Sequence, residues 1–383
     1  MTRAGEAQRR RLNDTFVELC RIESPFGRER ACGDRVAGEL RGLGLEVQED
    51  GSGPEAGSES GNLLARVPGP AERTILLCAH LDTVVPQAPI EPELDDGRWQ
   101  NARDGILGAD NKAAVAVILE VARHAVEQGA PVGLELLFTV CEENALRGAK
   151  AFDVGRLRSG FGYVFDHATA IGEVVVASPS YYRLDAEFRG AAAHAGIRPE
   201  DGRSAIAAAA RTVADMRLGR IDPETTANVG RIEGGSASLN VVPERCRIEA
   251  EARSLDDGKV ESLIAEMVDR VHDGANAAEC DVDVEVQRLF SGYRVRPSSA
   301  ALAAAEAALR ACGYEPRRIV TGGGSDANAL EAAGFHCVNL ANGTERNHQP
   351  DEGVTVAALE RARERGPEGE PAAARTGQHT AAQ

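Results

Sequence analysis

The sequence lacks any run of the roughly 18 consecutive apolar residues that a bilayer span requires, and its start, MTRAGEAQRRRLND, lacks the apolar centre of a secretory signal. These absences exclude a membrane-spanning helix and predict a cytoplasmic protein. Positive charge is also in short supply: 43 Lys and Arg stand against 60 Asp and Glu, for a net charge of −17 at pH 7. Such a surface repels phosphate backbones and anionic lipids, which excludes nucleic acid and membrane as partners. The eight cysteines, Cys20, Cys32, Cys78, Cys141, Cys246, Cys280, Cys312 and Cys337, show no CxxC spacing. A structural zinc site built on thiolates and a redox motif are therefore not expected. Several lie inside apolar runs, such as Cys78 in TILLCAHLD, where a free thiol serves as a small core residue in a reducing compartment. The glycine-rich TGGGSDAN at 321–328 has neither the lysine of a P-loop nor GxGxxG spacing, which argues against a phosphate cradle.

What is present is enough for two to three domains, with 383 residues that are 43% hydrophobic. RLNDTFVELCRIESP and RACGDRVAGELRGLG have apolar residues at helical spacing, and a short strand at Leu45 to Val47 follows. NLLARVPG, RTILLCAHLD, LELLFTV, GYVFD and HCVNLAN read as buried strands, alternating with helices over ADNKAAVAVILEVARHAVEQG and SSAALAAAEAALRACG. This alternation predicts an α/β layer with a mixed, mainly parallel sheet. The middle differs. From Tyr181 the order strand, helix, strand, strand, helix, strand is that of a ferredoxin-like α+β unit. The expected division is a discontinuous domain over 1–178 and 292–363, an inserted domain over 179–291, and a disordered Pro/Gly/Ala-rich tail over 364–383.

His80, Asp82, Glu142, Glu143, Asp166 and His348 each follow or nearly follow a predicted strand, and Asp110 stands at a helix start. The carboxyl ends of strands in an open α/β sheet line its ligand crevice, so these metal-ligand types converge on one rim. Each alone is more often a cap or a solvated loop residue. His80 and Asp82, at i and i+2 of extended chain, share a face, which lets the carboxylate accept the imidazole's second N–H. Two adjacent acids after a buried strand repel unless a cation or proton separates them. A metal would divide their labour, one carboxylate ligating and Glu142 or Glu143 acting as general base towards water. A solvated loop explains such a pair as readily when it stands alone.

HLDTVVP, GILGADNKAAVAVILE, TVCEENALRGAKAFD, FRGAAAHAGIRPEDGRSAI, TTANVGRIEGG, EARSL and GGGSDANAL resemble the segments of the two-zinc metallopeptidase family that includes aminoacylase, carboxypeptidase G and peptidase T. The resemblance is nearest to the peptidase T (tripeptidase) branch and runs from about residue 14 to about residue 360. It implies a zinc-peptidase-like catalytic domain with an inserted lid and dimerisation domain, and a homodimer. It implies that His80 and Asp166 bind one ion, Glu143 and His348 the other, and that Asp110 bridges them. Asp82 would then orient His80, and Glu142 would be general base and acid to a water bridging the ions. His194 would help hold the substrate oxyanion, in its partner's site, while Asn240, Arg253, Gly324 and Ser325 would contact substrate. The ligand types suit zinc, with cobalt or manganese as substitutes.

The chain departs from the family in having Asn144-Ala145-Leu146 where relatives carry a small residue and a glycine, and in a shortened final helix near Val356. The expected function is metal-dependent hydrolysis of short peptides. An amidohydrolase or carboxypeptidase acting on N-acyl amino acids is the alternative within the family, and a non-catalytic peptide-binding protein the alternative outside it.

Overall fold

The apolar runs become strands that are buried on both faces. The structure is a computed structural model and describes residues 5–70 and 73–362. In chain order it begins with α1 (Glu6–Arg21), α2 (Arg30–Gly42), β1 (Val47–Glu49), α3 (Gly53–Ala56), β2 (Leu63–Val67) and β3 (Thr74–His80). Then come β4 (Pro92–Asp95), β5 (Arg98–Asn101), α4 (Ala109–Gln128), β6 (Gly133–Thr139), α5 (Arg147–Ala151), β7 (Gly162–His167) and β8 (Glu173–Ser178). The middle holds β9 (Ser180–Arg189), α6 (Ala205–Asp215), β10 (Gly219–Asp222), β11 (Thr225–Gly234), β12 (Arg245–Ser254), α7 (Asp257–Ala277), β13 (Asp281–Phe290) and β14 (Tyr293–Arg294). Last are α8 (Ala300–Ala311), β15 (Arg317–Val320), α9 (Asp326–Ala332), β16 (Cys337–Ala341), β17 (Thr344–Glu345), β18 (Gly353–Thr355) and α10 (Val356–Ala362). The chain divides into two compact units, one comprising the residues up to Val175, Val295–Ile319 and those from Ser325 onward, the other Val176–Arg294 and Val320–Gly324.

The first unit carries a sheet in the order β1-β2-β6-β3-β7-β16-β8. Its centre, β6, β3, β7 and β16, is parallel, and β2 and β8 run antiparallel at either side. Every residue of β6 is buried, as is all of β3 after Thr74, which is the pattern of a parallel strand covered on both faces. The parallel run brings the carboxyl ends of four strands to one edge, with His80 at the end of β3 in register with Thr139 at the end of β6. A second, antiparallel sheet of very short strands, β17-β18-β5-β4, holds the loop that carries His348.

The second unit is an antiparallel sheet in the order β10-β11-β12-β9-β13. Without the short edge strand β10 this is the ferredoxin-like arrangement, with α6 and α7 supplying its two helices. Buried residues at Val260, Leu263, Ile264, Met267 and Val271 give α7 one apolar stripe, and this joins Leu184, Phe188, Ala208 and Ile248 in the unit's core. Asp256 caps α7 by accepting the Lys259 N–H at 2.9 Å.

None of the eight cysteines is in a disulfide; seven are buried and Cys312 is half-buried. Among the described residues no helix is long and apolar enough to cross a membrane. The tail expected to be disordered lies outside the described residues.

Candidate metal centre

The rim of the first unit's sheet gathers two imidazoles and four carboxylates. The His80 Nε2 lies 3.3 Å from Asp110 Oδ1 and 3.6 Å from Asp166 Oδ1. The His348 Nε2 lies 2.8 Å from Glu143 Oε1 and 3.3 Å from the other oxygen of Asp110, Oδ2. Asp110 therefore turns one carboxylate oxygen to each histidine. The ligand-type atoms of His80, Asp110 and Glu143 all lie within 4.8 Å of one another, and so do those of His80, Glu142 and Asp166.

The backbone beneath these side chains is held by buried polar groups. The Asp82 carboxylate accepts the N–H groups of both Glu142 and Glu143 at 3.0 Å. His80 Nδ1 meets the Asp82 carbonyl at 3.0 Å, and the Asp82 carboxylate only at 3.5 Å. Glu29 accepts the N–H of Cys141 at 3.1 Å. Asn339, in β16, accepts the Asp166 N–H and donates to the Asp166 carbonyl, both at 3.0 Å. Glu352 accepts the N–H groups of Leu107, Gly108 and Asp110.

Glu29, Asn339 and Glu352 are not among the residues that the sequence singles out. The one legible signal was an amide inside the apolar run HCVNLAN. Glu29 lies in a polar loop that carries no such signal.

Burial disfavours protonation of His80, but Asp166, Asp110 and Asp82 outweigh it and hold its pKa well above the ordinary imidazole value. Contacts to Asp110 and Glu143 raise His348 to about 10. Burial would raise Asp110, but the imidazoles of His348 and His80 facing its two oxygens bring it below the usual carboxylate range. Burial pushes Glu143 up to about 7, and burial with the nearby Asp166 raises Glu142 well above its ordinary value. Asp326, buried beneath the site and bonded by the Thr139 hydroxyl, is also pushed up to about 7 by burial.

The donor set fits a cation. His80 Nε2 and Asp110 Oδ1 are both buried and make no hydrogen bond, although they face each other. Buried polar atoms are ordinarily satisfied, and a cluster of carboxylates ordinarily needs a positive partner. Imidazole nitrogen with carboxylate oxygen is a ligand mixture that zinc accepts.

The remaining sequence candidates lie elsewhere. In the second unit His194 is exposed and its Nδ1 accepts the Gly196 N–H at 3.2 Å. Its neighbour Ala195 donates to the carbonyl of Asn240 at 2.8 Å, so these two candidates share one loop pair. Arg253 stacks on the Tyr181 ring at 4.1 Å, pairs with Glu251 at 2.9 Å and donates to the Gly322 carbonyl at 3.3 Å. Gly324 packs so closely on Phe290 that a Cβ would lie 2.2 Å from its ring. In the first unit Ser325 is buried, its hydroxyl accepting from Asn339 at 3.1 Å and capping α9.

A family profile described as Peptidase family M20/M25/M40 matches residues 76–365. The chain is 35% identical over 352 residues to the uncharacterised protein YqjE of Bacillus subtilis (strain 168), covering 91% of this chain and 95% of that protein. It is similar to the solved structure of aminopeptidase PepT from Bacillus cereus ATCC 10987, with 38% identity and a TM-score of 0.82 over 93% of this chain and 96% of that one. It is also similar to the structure of a tripeptidase from Staphylococcus aureus subsp. aureus Mu50, with 32% identity and a TM-score of 0.87 over the same shares.

Proposed function

Because the chain belongs to peptidase family M20/M25/M40 and is a metallopeptidase, we propose that it acts on short peptides as a tripeptidase or aminopeptidase. The observation that carries the reading is Asp110, whose two oxygens face His80 and His348, each of which also faces a further carboxylate. His80 and Asp166 would hold one divalent ion, Glu143 and His348 a second, and Asp110 both. When bound, the ions, zinc by ligand type with cobalt or manganese as substitutes, supply Lewis acidity to the peptide carbonyl and acidify water.

Glu142 takes the proton from the attacking water and returns it to the leaving amine. A carboxyl raised by burial is suited to both halves of that transfer. Asp82 fixes Glu142 and Glu143 through their backbone rather than their side chains. His194, exposed on the second unit, donates to the oxyanion as it forms, from one protomer of a homodimer to the site of its partner. In this reading 179–291 is the lid and dimerisation domain, inserted between 1–178 and 292–363. Asn240 and Arg253 contact the substrate through side chains, Gly324 and Ser325 through backbone. Eight cysteines without a disulfide support a cytoplasmic location.

The test uses protein stripped of metal by a chelator and reloaded with zinc, assayed for amino acid released from tripeptides with free and blocked termini. The expected result is zinc-dependent release of the N-terminal residue, abolished by blocking the amino end. Preferential cleavage of N-acyl amino acids would transfer the site to an amidohydrolase, and two bound ions without turnover would leave a binding protein.

A further inference from the structure

Glu352 is 1% exposed and forms no ion pair among the described residues. Its carboxylate is filled by backbone alone: Oε2 accepts from Leu107 at 2.9 Å and from Gly108 at 2.8 Å, and Oε1 accepts from Asp110 at 2.8 Å. These donors belong to an irregular stretch. Gly108 is left-handed at φ 75°, and Asp110 is extended at ψ 105° ahead of the regular part of α4. Three N–H groups with no partner in the helix need an acceptor, and an anion satisfies all three at once.

The acceptor is not local. Glu352 stands four residues after His348, at the end of the same β17–β18 loop, and His348 Nε2 lies 3.3 Å from Asp110 Oδ2. The same side chain therefore ties the loop that presents His348 to the backbone that presents Asp110. A second tie runs parallel, from Asn342 Nδ2 to Asn111 Oδ1 at 3.5 Å. We propose that Glu352 is a positioning residue that sets the separation of Asp110 and His348, and through it the affinity of the centre for the ion those two residues share.

This inference rests on Asp110 and His348 being ligands, so the experiment begins with the wild-type protein. Metal-free wild type is titrated with cobalt, following the visible ligand-field bands, and its affinities are measured by competition with a chromophoric chelator. Failure to bind two ions would overturn the ligand reading itself. Given two ions in wild type, Glu352→Gln places an amide N–H against a backbone N–H, and the affinity for one of the two ions, the one that Asp110 and His348 share, should fall about 10–100-fold. At saturating cobalt its band positions should also shift, because the ligands sit differently; a merely structural residue would lower the melting temperature and leave that spectrum alone. Glu352→Asp, charged but one methylene short, should show the same spectral shift with a smaller loss of affinity, and stands in if the Gln variant does not fold. A folded variant of either kind with wild-type affinity and spectrum overturns the proposal.

Discussion

Glu142 and Glu143 are neighbours with the same chemistry, and their environments separate them. Glu143 touches His348, whereas Glu142 is buried with no cationic contact as close among the described residues. Glu142→Gln is therefore expected to keep both ions, by metal analysis, while kcat falls by about 10²–10⁴-fold. Glu143→Gln should instead lose metal. The acids also set a pH dependence. Glu143, Asp326 and Glu352 are each raised to about 7, mainly by burial, so the folded protein holds protons that the unfolded chain releases near pH 4.5 for the glutamates and near pH 3.8 for Asp326. Stability of the metal-free protein should thus fall as pH rises from about 4.5 to about 7. Urea midpoints at pH 5.5 and pH 8 would show this, and bound zinc should narrow the difference by replacing protons with cations. The rim residues were legible because a polar residue ending an apolar run is visible in one dimension. Glu29 was not, since its partner Cys141 is far away in the chain and nothing local marks the pairing.

The element that presents the two acids is the turn after β6. The carbonyls of Val140, Cys141 and Glu142 accept from Gly148, Arg147 and Leu146, while the N–H groups of Cys141, Glu142 and Glu143 go to Glu29 and Asp82. Closing so tightly forces Cys141, Ala145 and Leu146 into the left-handed region, at φ 51°, 62° and 60°. The sequence departure at Asn144-Ala145-Leu146 thus falls where glycine would be relaxed. Ala145→Gly should stabilise the protein by about 1 kcal/mol in a urea titration, with kcat unchanged. Gly148 has no such latitude, because a Cβ there would lie 2.1 Å from the Val140 carbonyl, so Gly148→Ala should open the turn and lower kcat and stability together. The longer elements were readable from periodicity. The sheet β17-β18-β5-β4 was not, because strands of two to four residues hold too few side chains to show a period.

At the scale of the whole molecule the alternation of strand and helix, with a β-α-β-β-α-β insertion, was written plainly in the sequence. The pairing of two protomers is a separate proposal with its own test. If His194 serves the partner's site, Glu142→Ala and His194→Ala subunits should rescue each other, since a mixed dimer contains one intact site. Remixing equal amounts makes about half the dimers mixed, for roughly a quarter of wild-type activity. Verified heterodimers that stay inactive would return His194 to its own subunit or to no catalytic role.

The groups around Asp110 are drawn from opposite ends of a long span of chain. One rim is assembled from His80 through His348, and the backbone of Asp110 is held by a carboxylate 242 residues downstream. During synthesis, which runs from the N-terminus, the first strands can emerge and pack long before that carboxylate exists. A ribosome-bound chain stopped before His348 therefore lacks both an imidazole and the tether for its neighbour. On the proposed ligand set, the centre therefore stays incomplete during translation until the β17–β18 loop has been made.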